Sequence, residues 1–219
     1  GTLGIAFPQM QAEDRDRIAE GVYRELGRSL AVFARFPDLD RSNIHRLIRY
    51  EGFEHYEKAK REGRGVLFAT AHLGNWELSA YAHALMAEPM HVVVRPLDNP
   101  LLDRFVEQRR TGSGNRVIGK REFARSILRA LSANEAVGIL VDQNSLAGDG
   151  VFVDLFGVPA STSPVFAKLA ARSGAAVIPG VAVWQDSAQQ YVLHFDPPVT
   201  ITGNLVADSQ AIQTAVEAL

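Results

Sequence analysis

The chain has 219 residues, 47% of them hydrophobic and 22% charged, with a formal net charge of −2. That length suits one domain with a sizeable core, and the charge balance lacks the basic footprint of a general nucleic-acid binder. The absence of cysteine excludes a disulfide framework, thiol catalysis and any cysteine metal site.

The first third reads as helical. "AEDRDRIAEGVYRELGRSLAVFARF" sets Ile18, Val22, Leu26 and Leu30 at helical spacing, with acidic residues at its start. A loop through "PDLDRSN", an extended piece "HRLIRYE" and a charged helix "FEHYEKAKREG" ending at Gly63 follow. From Val66 the pattern becomes apolar strand, loop and helix, repeated. The predicted strands are "GVLFAT", "MHVVVR", "NRVIG" and "AVGILV"; the continuous apolar runs suit burial on both faces. Between them lie the helices "WELSAYAHALMA", "NPLLDRFVEQRR" with Asn99 as cap and Pro100 in the first turn, and "KREFARSILRALSANE". "STSPVFAKLAARSG" predicts a helix capped by serine or threonine and closed by Gly174, and "AAVIPGVAVW" and "YVLHFD" an antiparallel edge pair.

This order predicts an α/β fold, a three-layer αβα sandwich around a mostly parallel sheet with N-terminal helices packed on it. One domain spans 1–219: a mainly helical part (1–62), an α/β catalytic core (63–203) and the start of a C-terminal helix (204–219). No apolar run approaches the ~18–20 residues that span a bilayer, and no secretory signal is legible. "GTLGIAFPQM" and "QTAVEAL" read as trimmed edges, which leaves room for a membrane anchor outside this stretch.

In open α/β sheets the chemistry gathers beyond the carboxyl ends of the strands. "TAHLGNWE", "RPLDNP" and "VDQNS" share that address. In the first, His72 stands five residues before Glu77, a spacing that would hold the two apart on a continuous helix. Gly74 supplies a bend and Asn75 a cap for a helix starting near Trp76, so Glu77 in the first turn can approach one imidazole nitrogen and leave the other facing a cleft. An imidazole so oriented is a general base. The plainer alternative is a satisfied loop histidine and a glutamate favoured by the helix dipole. Arg109 and Arg110 end the helix after "DNP", with Arg95 nearby; each suits an oxyanion or phosphate, or simply a helix C-terminus. Asp142 ends a buried strand, where an unpaired charge is costly. Ser161, Thr162 and Ser163 read as helix caps rather than nucleophiles, and no Gly-x-Ser-x-Gly elbow occurs. His83, His91 and His194 are dispersed, His45 reads as loop or surface, and none of them builds a zinc site. Lys120, Arg121, Arg125 and Arg129 form a basic stripe: a solvated face, or an approach surface for an acidic carrier or anionic headgroups. Leu78 and Met86 suit core packing or an acyl groove.

"AHLGNWE" resembles the His-x4-Glu signature of the lipid A late (secondary) acyltransferases. "FPDLD", "EGFEHYEKAKREGRGVLFATAHLGNWEL", "VVVRPLDNPLLDRFVEQRR", "GILVDQNS", "VFVDLFGVPASTSP" and "LAARSGAAVIPGVAVW" are similar to that family in the same order, over nearly the whole chain. The glycerol-phosphate acyltransferases share a related His-x4-Asp motif, but their Phe-Pro-Glu-Gly-Thr block is missing here. The resemblance implies transfer of a fatty acyl chain from acyl carrier protein or acyl-CoA to a hydroxyl of a lipid A-type glycolipid, without metal or other cofactor. His72 would be the general base, Glu77 its partner, and Asp142 with Arg109 or Arg110 further active-site residues. Arg95, Asn75, Trp76 and Asn99 are expected at the substrate. The implied place is the cytoplasmic face of the bacterial inner membrane, by peripheral or anchored association. Three alternatives are the same chemistry on a phosphatidylinositol mannoside-type lipid, a thioester hydrolase, and a catalytically silent acyl- or carrier-binding module.

Overall fold

The computed structural model describes residues 2–119, 123–146 and 148–219. Helices α1 (Thr2–Ala6) and α2 (Ala12–Ala34) lead into strand β1 (Ile48–Glu51) and helix α3 (Phe53–Glu62). Next come β2 (Val66–Thr70), α4 (Trp76–Met86), β3 (His91–Val93), α5 (Pro100–Thr111), β4 (Arg116–Ile118), α6 (Phe123–Ser132) and β5 (Ala136–Leu140). A hairpin of β6 (Val151–Leu155) and β7 (Val158–Thr162) precedes α7 (Val165–Ser173). Strands β8 (Ala176–Gln185) and β9 (Gln190–Phe195) and helix α8 (Leu205–Glu217) follow.

Seven strands form one sheet in the order β1-β9-β8-β2-β5-β3-β4. All neighbours are parallel except β8 and β9. That antiparallel pair agrees with the sequence, but its place at the edge does not, because β1 adds outside β9. The two-residue alternation of strands builds the three layers. Val66 and Phe68 of β2 face a core shared with α2, α3 and α4, while Leu67 and Ala69 face one built from α6, α7 and α8. All four are 5% exposed or less, as expected of a sheet covered on both sides.

Three local details differ from the sequence reading. Ser161 and Thr162 lie in β7 rather than at a helix start; of the three hydroxyls only Ser163 accepts from the first turn of α7, from the Val165 amide. The hairpin escaped notice because its two-residue turn is Phe156-Gly157, both at positive φ, a mirror-image turn without the usual Asn-Gly marker. The periodic residues of α2 make the helix, yet Val22, Leu26 and Leu30 point outward at 60%, 46% and 62% exposure. Lys120 and Arg121 lie outside the described residues; Arg125 and Arg129 are on α6.

Candidate active site

The site forms where β2 and β5 end side by side. Their register pairs Thr70 with Leu140, so His72 and Asp142 each stand two residues past a paired position, on neighbouring strands. The Val141 amide donates to the Thr70 carbonyl at 2.9 Å and extends this pairing by one rung. The loop then turns sharply at Gly74, at φ +61°. A Cβ there would overlap the Ala182 carbonyl oxygen, which accepts the Asn75 amide at 2.8 Å. Only glycine fits so close to a neighbouring strand in this conformation. Asn75 Oδ1 accepts the Leu78 amide at 3.0 Å and caps α4, as the sequence indicated.

The expected pairing of His72 with Glu77 is corrected by the structure. His72 Nδ1 lies 2.9 Å from Asp142 Oδ1, and the His72 amide donates to Asp142 Oδ2 at 2.8 Å. Glu77 instead binds Arg110: Nε donates to Oε2 at 2.9 Å and Nη2 to Oε1 at 2.5 Å. Among the described residues no hydrogen bond joins His72 to Glu77. The bend at Gly74 rotates the first turn of α4 so that Glu77 faces α5, while the parallel strands bring the distant carboxylate to the imidazole. With Nδ1–H donated to Asp142, the lone pair rests on Nε2. The His72 ring packs edge-on to Trp76, with centroids 5.1 Å apart.

Two cavities meet here. An outer cleft at the strand ends is lined by His72, Arg95, Leu97, Asn144, Thr162 and Phe166, among others. A narrow inner cavity of about 70 Å³ runs under α4 between Phe68, His83, Met90, Val92, Gly138 and Phe195. Trp76, Arg110 and Leu140 line both, so the Glu77–Arg110 pair stands at their junction. The inner volume is below the ~300–1,000 Å³ of typical small-molecule sites, but its walls are mostly apolar as theirs are. The sequence reading missed this cavity. Its one local signal was Gly138 in mid-strand, a residue that often marks space kept beside a strand.

The remaining expected residues separate cleanly. Arg109 stacks over Phe105, 3.6 Å from its guanidinium carbon to the ring centroid, whereas Arg110 enters the site. Arg95 is at the rim of the cleft, 3.8 Å from Asp98. Asn75, 1% exposed, and Asn99, which accepts from the Leu101 and Leu102 amides, serve as helix caps and line neither cavity. Leu78 is wholly buried in the core, and Met86 packs against that core. His83 bonds Tyr50, His91 bonds Glu135 and His194 bonds Asp196. Among the described residues no group of three His, Asp or Glu is placed to hold a metal ion.

Known proteins resemble this chain over most of its length. It is 23% identical over 217 residues to a lipid A biosynthesis acyltransferase of Haemophilus influenzae, matching 98% of this chain and 68% of the relative. It is 29% identical over 200 residues to the lipid A biosynthesis lauroyltransferase of Escherichia coli, covering 90% and 64%. It is also 28% identical over 196 residues to a phosphatidylinositol mannoside acyltransferase of Mycolicibacterium smegmatis, covering 84% and 64%. The chain thus spans about two thirds of the length of these curated relatives. A family model described as bacterial lipid A biosynthesis acyltransferase matches residues 2–218, and the chain belongs to that family.

Proposed function

We propose that this protein transfers a fatty acyl chain from a thioester donor, acyl carrier protein or acyl-CoA, to a hydroxyl of a lipid A-type glycolipid. One observation carries the proposal: His72 is held at Nδ1 by Asp142 and sits in a cleft that shares walls with a mostly apolar cavity. The acceptor hydroxyl gives its proton to His72 Nε2 as its oxygen attacks the thioester carbonyl. The tetrahedral intermediate collapses, the carbon–sulfur bond breaks, and the imidazolium returns the proton to the leaving thiolate. Asp142 fixes the tautomer and stabilises the imidazolium. Arg110, anchored by Glu77 at the junction of the cavities, is suited to the developing oxyanion, and the inner cavity receives the acyl chain.

The glycolipid must come from a bilayer. Leu97, Leu101, Leu102 and Phe105, 40–76% exposed, lie on α5 and the segment before it, with Leu97 and Arg95 in the wall of the cleft. This apolar rim supports docking on a membrane surface; the face proposed for it is the cytoplasmic side of the inner membrane. Among the described residues no helix is long and apolar enough to cross a membrane. The match to a phosphatidylinositol mannoside acyltransferase favours, as the second reading, the same chemistry on a mannosylated phospholipid.

The test is mass spectrometry of membrane lipids with and without the gene, repeated for His72→Ala, Glu77→Ala and Asp142→Asn. Loss of one acyl chain from a lipid A-type species in the deletion and in His72→Ala is expected. Loss from a phosphatidylinositol mannoside would select the second reading, and release of free fatty acid with no acylated lipid would select hydrolysis. Normal acylation by His72→Ala would end the proposed mechanism.

A further inference from the structure

Helix α8 reaches the active site through one side chain. Gln213, 4% exposed, donates through Nε2 to the Val141 carbonyl oxygen at 2.6 Å and to Thr162 Oγ1 at 2.9 Å. Val141 immediately precedes Asp142. Its amide is held by the Thr70 carbonyl, so β2 and Gln213 pin the backbone on both sides of this residue. Thr162 is the last residue of β7 and lines the outer cleft. It forms a bridge with Asn144, and the Ser145 amide donates to the Ser161 carbonyl at 2.9 Å. One buried amide therefore ties both ends of the short loop that carries Asp142.

We propose that Gln213 is a positioning residue: it fixes the Val141–Asp142 corner so that Asp142 holds the His72 ring with Nε2 toward the cleft. This rests on His72 as base and Asp142 as its partner. A neutral amide suits the place, since both its N–H groups meet oxygen acceptors and it adds no charge beside the Asp142 carboxylate. Docking of α8 does not depend on it. Gln210 exchanges two hydrogen bonds with the Asp154 backbone, at 2.7 and 3.0 Å, and Glu217 accepts the Phe156 amide at 3.0 Å. Ile212 and Val216 add buried apolar contacts.

The experiment compares Gln213→Met, close in shape but without donors, with Gln210→Met, which disturbs only the docking contacts, in the full-length protein. The first readout needs no substrate: the downfield proton resonance of the His72 Nδ1–H···Asp142 bond, assigned by its loss in His72→Gln. The second is kcat with lauroyl-CoA, the chain named for one relative, and a lipid A-type acceptor. Gln213→Met should lose or broaden the resonance and lower kcat roughly 10- to 100-fold, the cost of misplacing a catalytic group, with KM within about twofold. Gln210→Met should keep both. In an Asp142→Asn background Gln213→Met should cost less than about twofold more, since the two act through one carboxylate. A retained resonance with full kcat and only a lower Tm, or losses that multiply with Asp142→Asn, would overturn the proposal. If Gln213→Met does not fold, Gln213→Asn, a neutral amide one methylene too short to reach both acceptors, takes its place, with the same readouts and the same expected results. If the wild-type protein transfers no acyl group, the functional reading fails while the resonance still decides the role of Gln213.

Discussion

Asp142 binds His72 at two points, ring and backbone, with Nδ1 2.9 Å from Oδ1 and the amide nitrogen 2.8 Å from Oδ2. The double contact sets both the position of the loop and the rotation of the imidazole, so ring orientation and loop conformation are coupled. A carboxylate that accepts Nδ1–H leaves Nε2 basic; an amide in the same place can present N–H to Nδ1 and move the proton to the wrong nitrogen. Asp142→Asn should therefore lower kcat by about 10²–10⁴-fold, the usual contribution of a general base. The fold should survive, as the side-chain volume is nearly unchanged. Acyl transfer measured beside thermal unfolding checks this, and an active Asp142→Asn enzyme would leave the imidazole without an orienting role for its partner.

Glu77 and Arg110 form a unit of their own, each side chain only 21% exposed. Removing either leaves the other half-buried and unpaired, at a cost of about 1–3 kcal/mol in stability. If Glu77 acts through Arg110, as the hydrogen bonds indicate, Glu77→Ala and Arg110→Ala should lower acyl transfer to similar degrees. The double variant should then be no worse than the more severe single one within about twofold. Activity losses that multiply would mean that Glu77 reaches the reaction by another route. Denaturant midpoints for the three variants separate the stability effect from the catalytic one.

The strand–loop–helix unit around His72 was legible because its determinants are local: a run of apolar residues, a glycine where a Cβ would strike the next strand, and an asparagine cap. The partner of His72 was not. It lies 70 residues away and is set by the adjacency of β2 and β5, which no local pattern encodes. Sequence proximity favoured Glu77, whereas the start of α4 turns that residue toward α5. Choosing between Arg109 and Arg110 was equally out of reach, since one residue on a helix is a rotation of about 100° and the choice depends on where α4 lies. The inner cavity, apart from Gly138, and the role of Gln213 arise from tertiary packing.

Gly138 offers a test of the acyl reading that leaves the catalytic groups untouched. It lines the inner cavity beside Met90, and a Cβ at this position would stand 2.7 Å from the Met90 terminal methyl. Because that methyl is the free end of a flexible side chain, Gly138→Ala should fold and displace it within the cavity. The shallower space should favour shorter donors, with each methylene of fit amounting to about 1–3 kcal/mol. Competition between acyl-CoA donors differing by two carbons, read by product mass, should show the preference move toward the shorter chain by about tenfold or more. An unchanged ratio would mean that the chain lies elsewhere, in the outer cleft.

His83 stands in the wall of the same cavity, 1% exposed, with Tyr50 Oη 2.8 Å from its Nδ1. Burial lowers its pKa from 6.5 to about 4; Glu88 nearby opposes this shift and Lys60 adds to it. The unfolded chain therefore takes up a proton between about pH 6.5 and 4 that the folded protein refuses. A folded-state pKa below the unfolded value means that the stability from this group is full above about pH 6.5 and is lost as pH falls through that window, by up to about 3 kcal/mol. Glu88 and Tyr56, hydrogen-bonded to each other, and Lys60, paired with Glu88 at 2.6 Å, are the other titrating groups around the ring. The Glu88 pKa is also lowered: burial, the largest single cause, raises it, and hydrogen bonds from Lys60 and Tyr56 with the charges of Lys60 and, least, His83 together outweigh that. Its acid sensitivity thus has the same sign and must be removed by comparison. His83→Phe keeps Glu88 and loses only the imidazole, so its unfolding free energy should be flatter between pH 6.5 and 4 by about 3 kcal/mol, even if its stability at neutral pH is reduced by the lost Tyr50 bond. Parallel curves for the two proteins would show that the folded state accepts the proton after all, and that the cavity wall carries a charge in acid.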